Sequence, residues 1–148
     1  MKARFLALLT NLPVLAALVL STSSTAARAD EALANALEKV SKDQIAAFNR
    51  KDADATMGYA YTKSPAYDEA KDALASLFSE ADAKAEQVSF QYIGHDDEFA
   101  VARVKVKVTA KDAPGFQNNV VDALMIFHME GGRWKVFDSY LLGSQVID

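Results

Sequence analysis

The sequence predicts an α+β fold, with N-terminal helices packed in the concave face of a curved, mostly antiparallel sheet. Three observations carry this. Apolar residues recur at helical spacing up to about residue 85 and at period two from there onward. The period-two region divides into four runs separated by turn residues, and sequential strands with short connections pair as a meander. One face of that meander is apolar, and the preceding helices are the elements available to cover it.

The first residues read as a targeting segment. Lys2 and Arg4 form a basic start, Phe5 to Leu20 is almost wholly apolar, and Ser21 to Thr25 is small and polar. Ala27-Arg28-Ala29 then has the A-x-A pattern of a signal-peptidase site. The apolar run, about sixteen residues, is shorter than a membrane-spanning helix requires. The expectation is a cleaved signal peptide over residues 1–29, a single domain over 30–148, and a secreted or periplasmic location. Cleavage would remove three of the 16 basic residues and none of the 20 acidic ones, moving the formal charge from −4 to −7. A chain that acidic lacks the electrostatic footprint for phosphate backbones, so no nucleic acid partner and no anionic membrane surface is expected. With no cysteine, disulfide frameworks, thiolate-bound zinc, iron–sulfur clusters and thiol nucleophiles drop out.

In the first helix Leu33, Leu37, Val40, Gln44 and Phe48 fall on one stripe, with charged residues mostly on the far side. After Asn49-Arg50-Lys51-Asp52, a second short helix is expected near Ala53–Tyr61, with Asp52 as N-cap. Ser64-Pro65 signals a third helix, because serine caps and proline suits the first turn. Tyr67, Ala70, Leu74, Leu77, Phe78 and Ala81 form its stripe, and it should end near Asp82 to Glu86.

The strands follow. Val88, Phe90 and Tyr92 alternate with polar residues up to the turn Gly94-His95-Asp96-Asp97-Glu98. Ala100, Ala102, Val104, Val106 and Val108 alternate with Arg103, Lys105, Lys107 and Thr109, as expected of a half-buried strand. Ala113-Pro114-Gly115 suits a type II turn. Val120 to Met129 is apolar on both faces, and Gly131-Gly132 turns the chain into Arg133–Leu142. A strand apolar on both faces calls for cover on both. With helices on one side, a second subunit is the economical cover for the other, so a homodimer through the sheet is expected.

Three stretches carry a resemblance. Ala47-Phe48-Asn49-Arg50-Lys51-Asp52-Ala53-Asp54 closes the first helix, Phe99-Ala100-Val101-Ala102-Arg103-Val104 opens the second strand, and Glu130-Gly131-Gly132-Arg133-Trp134-Lys135-Val136 turns into the last. In this order and spacing the chain resembles the nuclear-transport-factor-2-like superfamily, in its SnoaL-like branch, over about residues 31–142. The resemblance implies a cone-shaped sheet wrapped around helices. It does not imply one function, since such domains include isomerases, dehydratases and cyclases as well as binding and dimerising modules. It also implies that an enzyme of this kind would carry an Asp base, with Tyr or His, inside the cone.

Asp138 and His128 are the candidate catalytic residues. Period two puts Asp138 on the face of Trp134, Val136, Tyr140 and Leu142. A carboxylate among apolar side chains must find a partner or shift toward the neutral acid, the condition a general base near neutrality needs. The structural alternative is an ion pair with Arg103 or Lys105 from another strand, or a place at the open sheet edge. His128 shares parity with Asp122, Leu124 and Ile126 and could relay a proton or orient a carbonyl, or could pack as a half-exposed strand residue. Pairing about the glycine turn sets Asp138 opposite position 125 or 126, with His128 a diagonal neighbour. Tyr59, Tyr61, Tyr92, Trp134 and Tyr140 are the expected pocket lining; the same spacings also serve plain core packing. The acidic turn after Gly94 lacks calcium-loop spacing, so no metal site is expected, and no cofactor fingerprint is present. The expected function is an exported small-molecule-binding or dimeric interaction domain, taking an apolar or amphipathic ligand. The alternative is a cofactor-independent isomerase or dehydratase using Asp138.

Overall fold

The structure is a computed structural model that describes residues 14–111, 113 and 115–147. The chain divides into two compact units, residues 1–33 and 34–148. In the first, the described residues are helical and open α1 (Val14–Asn49). Lys2, Arg4 and the start of the apolar run lie outside the described residues. Among those described, no helix is long and apolar enough to cross a membrane.

The second unit holds the rest of α1, then α2 (Ala53–Met57), α3 (Tyr67–Glu80), β1 (Asp82–His95), β2 (Phe99–Lys111), β3 (Asn119–Glu130) and β4 (Arg133–Val146). The strands form one curved antiparallel sheet in the order β1-β2-β3-β4, with the helices in its concave face. The expected fold class is therefore the observed one.

Local chemistry explains the boundaries. On α1, Leu37, Ser41 and Ala47 are fully buried, while Val40, Gln44 and Phe48 are half-buried. The buried stripe is thus rotated slightly from the expected one and includes a serine. Its hydroxyl donates to Gln87 Oε1 (2.7 Å), and Gln87 in turn donates to Glu38. The helix ends where Lys51 takes a left-handed φ of 60°. Lys51 Nζ then reaches Ala81 O (2.7 Å) and Asp82 (3.1 Å), across the end of α3. Asp52 caps α2 by accepting from Ala55 N, as expected. That helix stops at Met57 rather than Tyr61, because residues 59–61 become extended and pair in parallel with Val136. α3 begins at Tyr67, two residues after the proline. Ser64 Oγ accepts from Ala66 N in a serine turn ahead of the helix instead of capping it directly.

The turns match their residues. Ala113 O accepts from Phe116 N, with Gly115 at a positive φ of 88°, while Pro114, the other central residue of the expected type II turn, lies outside the described residues. Gly131 and Gly132 both have positive φ, the requirement of a two-residue hairpin of type I′.

Antiparallel partners share a face, so register sorts the side chains. Ala100, Ala102 and Val104 on β2 pair with Phe127, Met125 and Ala123 on β3. This is the helix-covered face, where Ala100, Ala102, Val104 and Phe127 are buried. Phe99, Val101, Arg103 and Lys105 pair with His128, Ile126, Leu124 and Asp122 on the outer face. There Arg103 binds Asp122 in a two-pronged ion pair (2.8 and 2.6 Å), with Lys105 3.9 Å away.

The link between helix and sheet is Asn49. Its amide donates to Ala85 O and accepts from Ala85 N, both at 2.8 Å, on the free edge of β1. Asn49→Ala orphans both half-buried backbone groups, so it is expected to destabilise the fold by about 2 kcal/mol. The exposed Ser79→Ala should change stability by less than about 0.5 kcal/mol. Urea unfolding of the two variants checks the difference.

Candidate functional site

Register separates the residues that sequence parity had grouped. Trp134 and Val136 pair with Met129 and Phe127 on the helix-covered face. Between Phe127 and Ile126 the ladder slips by one, Phe137 being the extra residue, so Asp138 pairs with Ile126 and Tyr140 with Leu124. A bulge reverses every later side chain. Asp138 and Tyr140 therefore lie on the outer face, opposite Trp134, which corrects the period-two expectation. Asp138 Oδ1 accepts from Ser139 N at 2.7 Å. The cations considered as its partners, Arg103 and Lys105, engage Asp122 instead.

His128 shares the outer face and is diagonal to Asp138, as the turn geometry predicts, with no hydrogen bond between them among the described residues. Its ring lies 4.6 Å from Tyr61 and 4.8 Å from Phe99, with Phe137 at 6.2 Å. Its Nδ1 is 2.8 Å from Met129 O, a geometry in which the N–H donates to the carbonyl. Tyr61 reaches this group because its N–H donates to Val136 O while Tyr59 O accepts from Val136 N. Tyr92 pairs with Ala102 on the helix-covered face, and its hydroxyl meets His95 Nδ1. Tyr140 is 54% exposed. The seven predicted site residues are thus divided among separate places.

Two of them meet. Tyr59 and Trp134 line a cleft of about 460 Å³ with Ala36, Val40, Ala55, Gly58, Arg133 and Lys135. Ala36 and Val40 are one turn apart on α1, Ala55 and Gly58 come from the end of α2, and residues 133–135 open β4. Lys135 Nζ closes one side by donating to Gly58 O (2.8 Å) and sits 3.4 Å from Glu130. Glu130 also accepts from the hydroxyl and N–H of Thr62. The Thr62 hydroxyl, with Lys135 beside it, holds the Glu130 carboxyl below the usual carboxylate range. Chemically the lining is an apolar wall, two amphipathic aromatics and two cations, without an aspartate, glutamate or histidine.

Sequence reasoning did not assign Ala36, Val40, Ala55, Gly58, Arg133 or Lys135 to a site. Small residues on three elements carry no motif, and the cleft exists only where those elements converge. The glycine pair before Arg133 was the available signal, since a tight hairpin presents its first residues at a sheet end.

A curved antiparallel sheet holding helices in its concave face is the fold of nuclear-transport-factor-2-like and cystatin-like proteins, the fold the sequence resemblance implied. Residues 39–146 match the family described as the C-terminal domain of the anti-sigma-I factor RsgI9, and the chain belongs to that family. Among solved structures, the chain is similar to a conserved protein from Planctomyces limnophilus DSM 3776. The TM-score is 0.65 at 17% identity, over 79% of this chain and 99% of that one. An NTF2-like protein from Cytophaga hutchinsonii ATCC 33406 gives 0.61 at 12% identity, over 76% and 97%. A type 2 hexachlorocyclohexane dehydrochlorinase, LinA, gives 0.57 at 10% identity, over 86% and 93%. At such identities the likeness is one of fold. No curated protein shows significant sequence similarity to the chain.

The Glu130 cluster carries a pH signature. A carboxyl with a lowered folded-state pKa contributes stability above its unfolded value of about 4.5, and that stability is lost as pH falls through the lower folded value. Thr62→Val removes the hydroxyl donor. The Glu130 titration, followed by carboxyl carbon NMR, should move up toward the ordinary range, and stability should depend less on pH below about 4.5.

Proposed function

We propose that this chain is an exported domain that holds a small apolar or amphipathic molecule in the cleft between α1, α2 and β4, and that it pairs with a second copy through its sheet. The observation that carries the first part is the cleft's lining. Val40, Ala36 and Ala55 supply apolar wall, while Tyr59 and Trp134 combine apolar area with a polar atom each. About 460 Å³ lies within the usual range of small-ligand sites. Family membership favours the same reading, because the family is named for a domain of an anti-sigma factor and not for a reaction. Export rests on the basic, apolar and A-x-A pattern of residues 1–29.

The enzymatic alternative draws on LinA, an enzyme by its name. It needs a base beside the ligand. Asp138 and His128 sit on the outer face instead, and the cleft lining carries no aspartate, glutamate or histidine. Binding without chemistry fits the cleft better.

Pairing rests on the contrast between the two sheet edges. β1 carries Asp82, Lys84 and Glu86 and bulges at Val88 and Ile93, the devices by which an edge refuses another strand. From Ser139 to Val146, β4 has no charge and no proline. Tyr140, Leu141, Leu142 and Val146 are each more than half exposed there. Antiparallel pairing of this edge with its own copy is isologous and brings no like charges together.

Native mass spectrometry of the protein purified gently from its own host tests the whole reading. The expected spectrum shows a chain beginning at Asp30, a dimer, and an extra mass that leaves on mild activation. An uncleaved chain without added mass would overturn export and binding together. Leu141→Lys should convert the dimer to monomer with an unchanged far-ultraviolet circular dichroism spectrum. A wild-type protein that sediments as a monomer at micromolar concentration would remove the pairing.

A further inference from the structure

The geometry points to an anionic headgroup on the ligand, held by Arg133 at the rim of the α1–α2–β4 cleft. This inference rests on the cleft being the binding site and adds the chemical class of its occupant: an amphipathic acid with an apolar body and a single carboxylate-like end.

The two cations of the lining differ in what already occupies them. Lys135 is half-buried, donates to Gly58 O at 2.8 Å and faces Glu130 at 3.4 Å, so its charge is matched within the fold. Arg133 is exposed, and among the described residues it makes no ion pair and no side-chain hydrogen bond. Its cross-strand partner is Glu130, yet the Glu130 carboxylate is taken up by Thr62 and Lys135. Arg133 is therefore a guanidinium with its donors free, next to a wall that otherwise offers little but carbon.

A planar fork of N–H donors matches a carboxylate two-point fashion, which a lysine ammonium does not. The position matters as much as the charge. Arg133 immediately follows Gly131-Gly132, so its backbone is set by a tight turn at the end of the sheet, while Trp134 beside it belongs to the helix-covered face. Consecutive strand residues point to opposite faces, so the flexible arginine side chain starts at the rim and the indole starts in the wall. A ligand lying against Trp134, Val40 and Tyr59 presents its polar end where Arg133 can reach it. The long-range field works against anions, since the chain carries 20 acidic and 16 basic residues. Recognition of an acid here must come from a local contact, and Arg133 is the cation of the lining left to make it.

Trp134 is the only tryptophan in the chain, so its emission reports on the cleft directly. The test compares decanoate with decanamide, which share one apolar body and differ in headgroup charge. In the wild-type protein, decanoate should shift Trp134 emission with an affinity about tenfold greater than decanamide, the gain expected of a charge-assisted pair. Arg133→Gln should reduce that preference to about twofold or less, and Arg133→Lys should retain part of it. Added salt should weaken decanoate and spare decanamide. Equal affinity for both probes in the wild type would overturn the anionic headgroup and leave the apolar cleft standing. No response of Trp134 to either probe would overturn the cleft as the binding site and the headgroup with it.

Discussion

The double hydrogen bond between the Asn49 amide and the backbone of Ala85 is the contact on which the rest of this fold depends. It joins the last residue of α1 to the free edge of β1 by the same donor–acceptor exchange that a neighbouring strand would make. An unsatisfied backbone pair at a half-buried edge is costly, so the end of α1 is held at one place along β1. The further contacts follow along the helix. Ser41 meets Gln87 two residues on, and Leu37 lies one turn earlier, fully buried. Beyond the helix end, Lys51 crosses to Ala81 and Asp82 and sets where α3 hands over to β1.

From that anchor the cleft is a consequence of spacing. α1 is held over β1 at its C-terminal end, and α2 is tied to β4 by Lys135 to Gly58 and by the 59–61 segment alongside Val136. The two helices thus meet the start of β4 without filling the space before Trp134, because Ala36, Ala55 and Gly58 are small. Larger residues there would turn the same junction into core. The aromatic group of Tyr61, Phe99, His128 and Phe137 fastens the opposite side of that strand, so β4 is gripped from both faces near its beginning and left open beyond Asp138. Function and stability are therefore distributed along one strand. Its first half is held and shapes the cleft, while its second half presents an uncharged edge.

Much of this was legible in the sequence. The change of apolar period near residue 85, the proline and glycine turns and the motifs around Asn49 and Trp134 are local signals, and each names an element or a boundary through chain-local sterics and hydrogen bonding. They led to the four-strand meander and the helices in its concave face. They also marked Tyr59 and Trp134 as pocket residues, and those two do share a cleft. The charge count likewise needs no fold to be read.

What only the tertiary structure decided is which side chains share a place. A single extra residue, Phe137, reverses the faces of Asp138 and Tyr140, and nothing in the local sequence announces it, since a bulge reflects how two twisted strands fit each other. In the same way, the occupation of Glu130 by Thr62, which leaves Arg133 without an ion pair among the described residues, depends on residues nearly seventy positions apart. Local pattern determines elements because its physics acts within a few residues. Sites depend on register and on the meeting of distant segments, and these are settled only when the whole sheet closes over its helices.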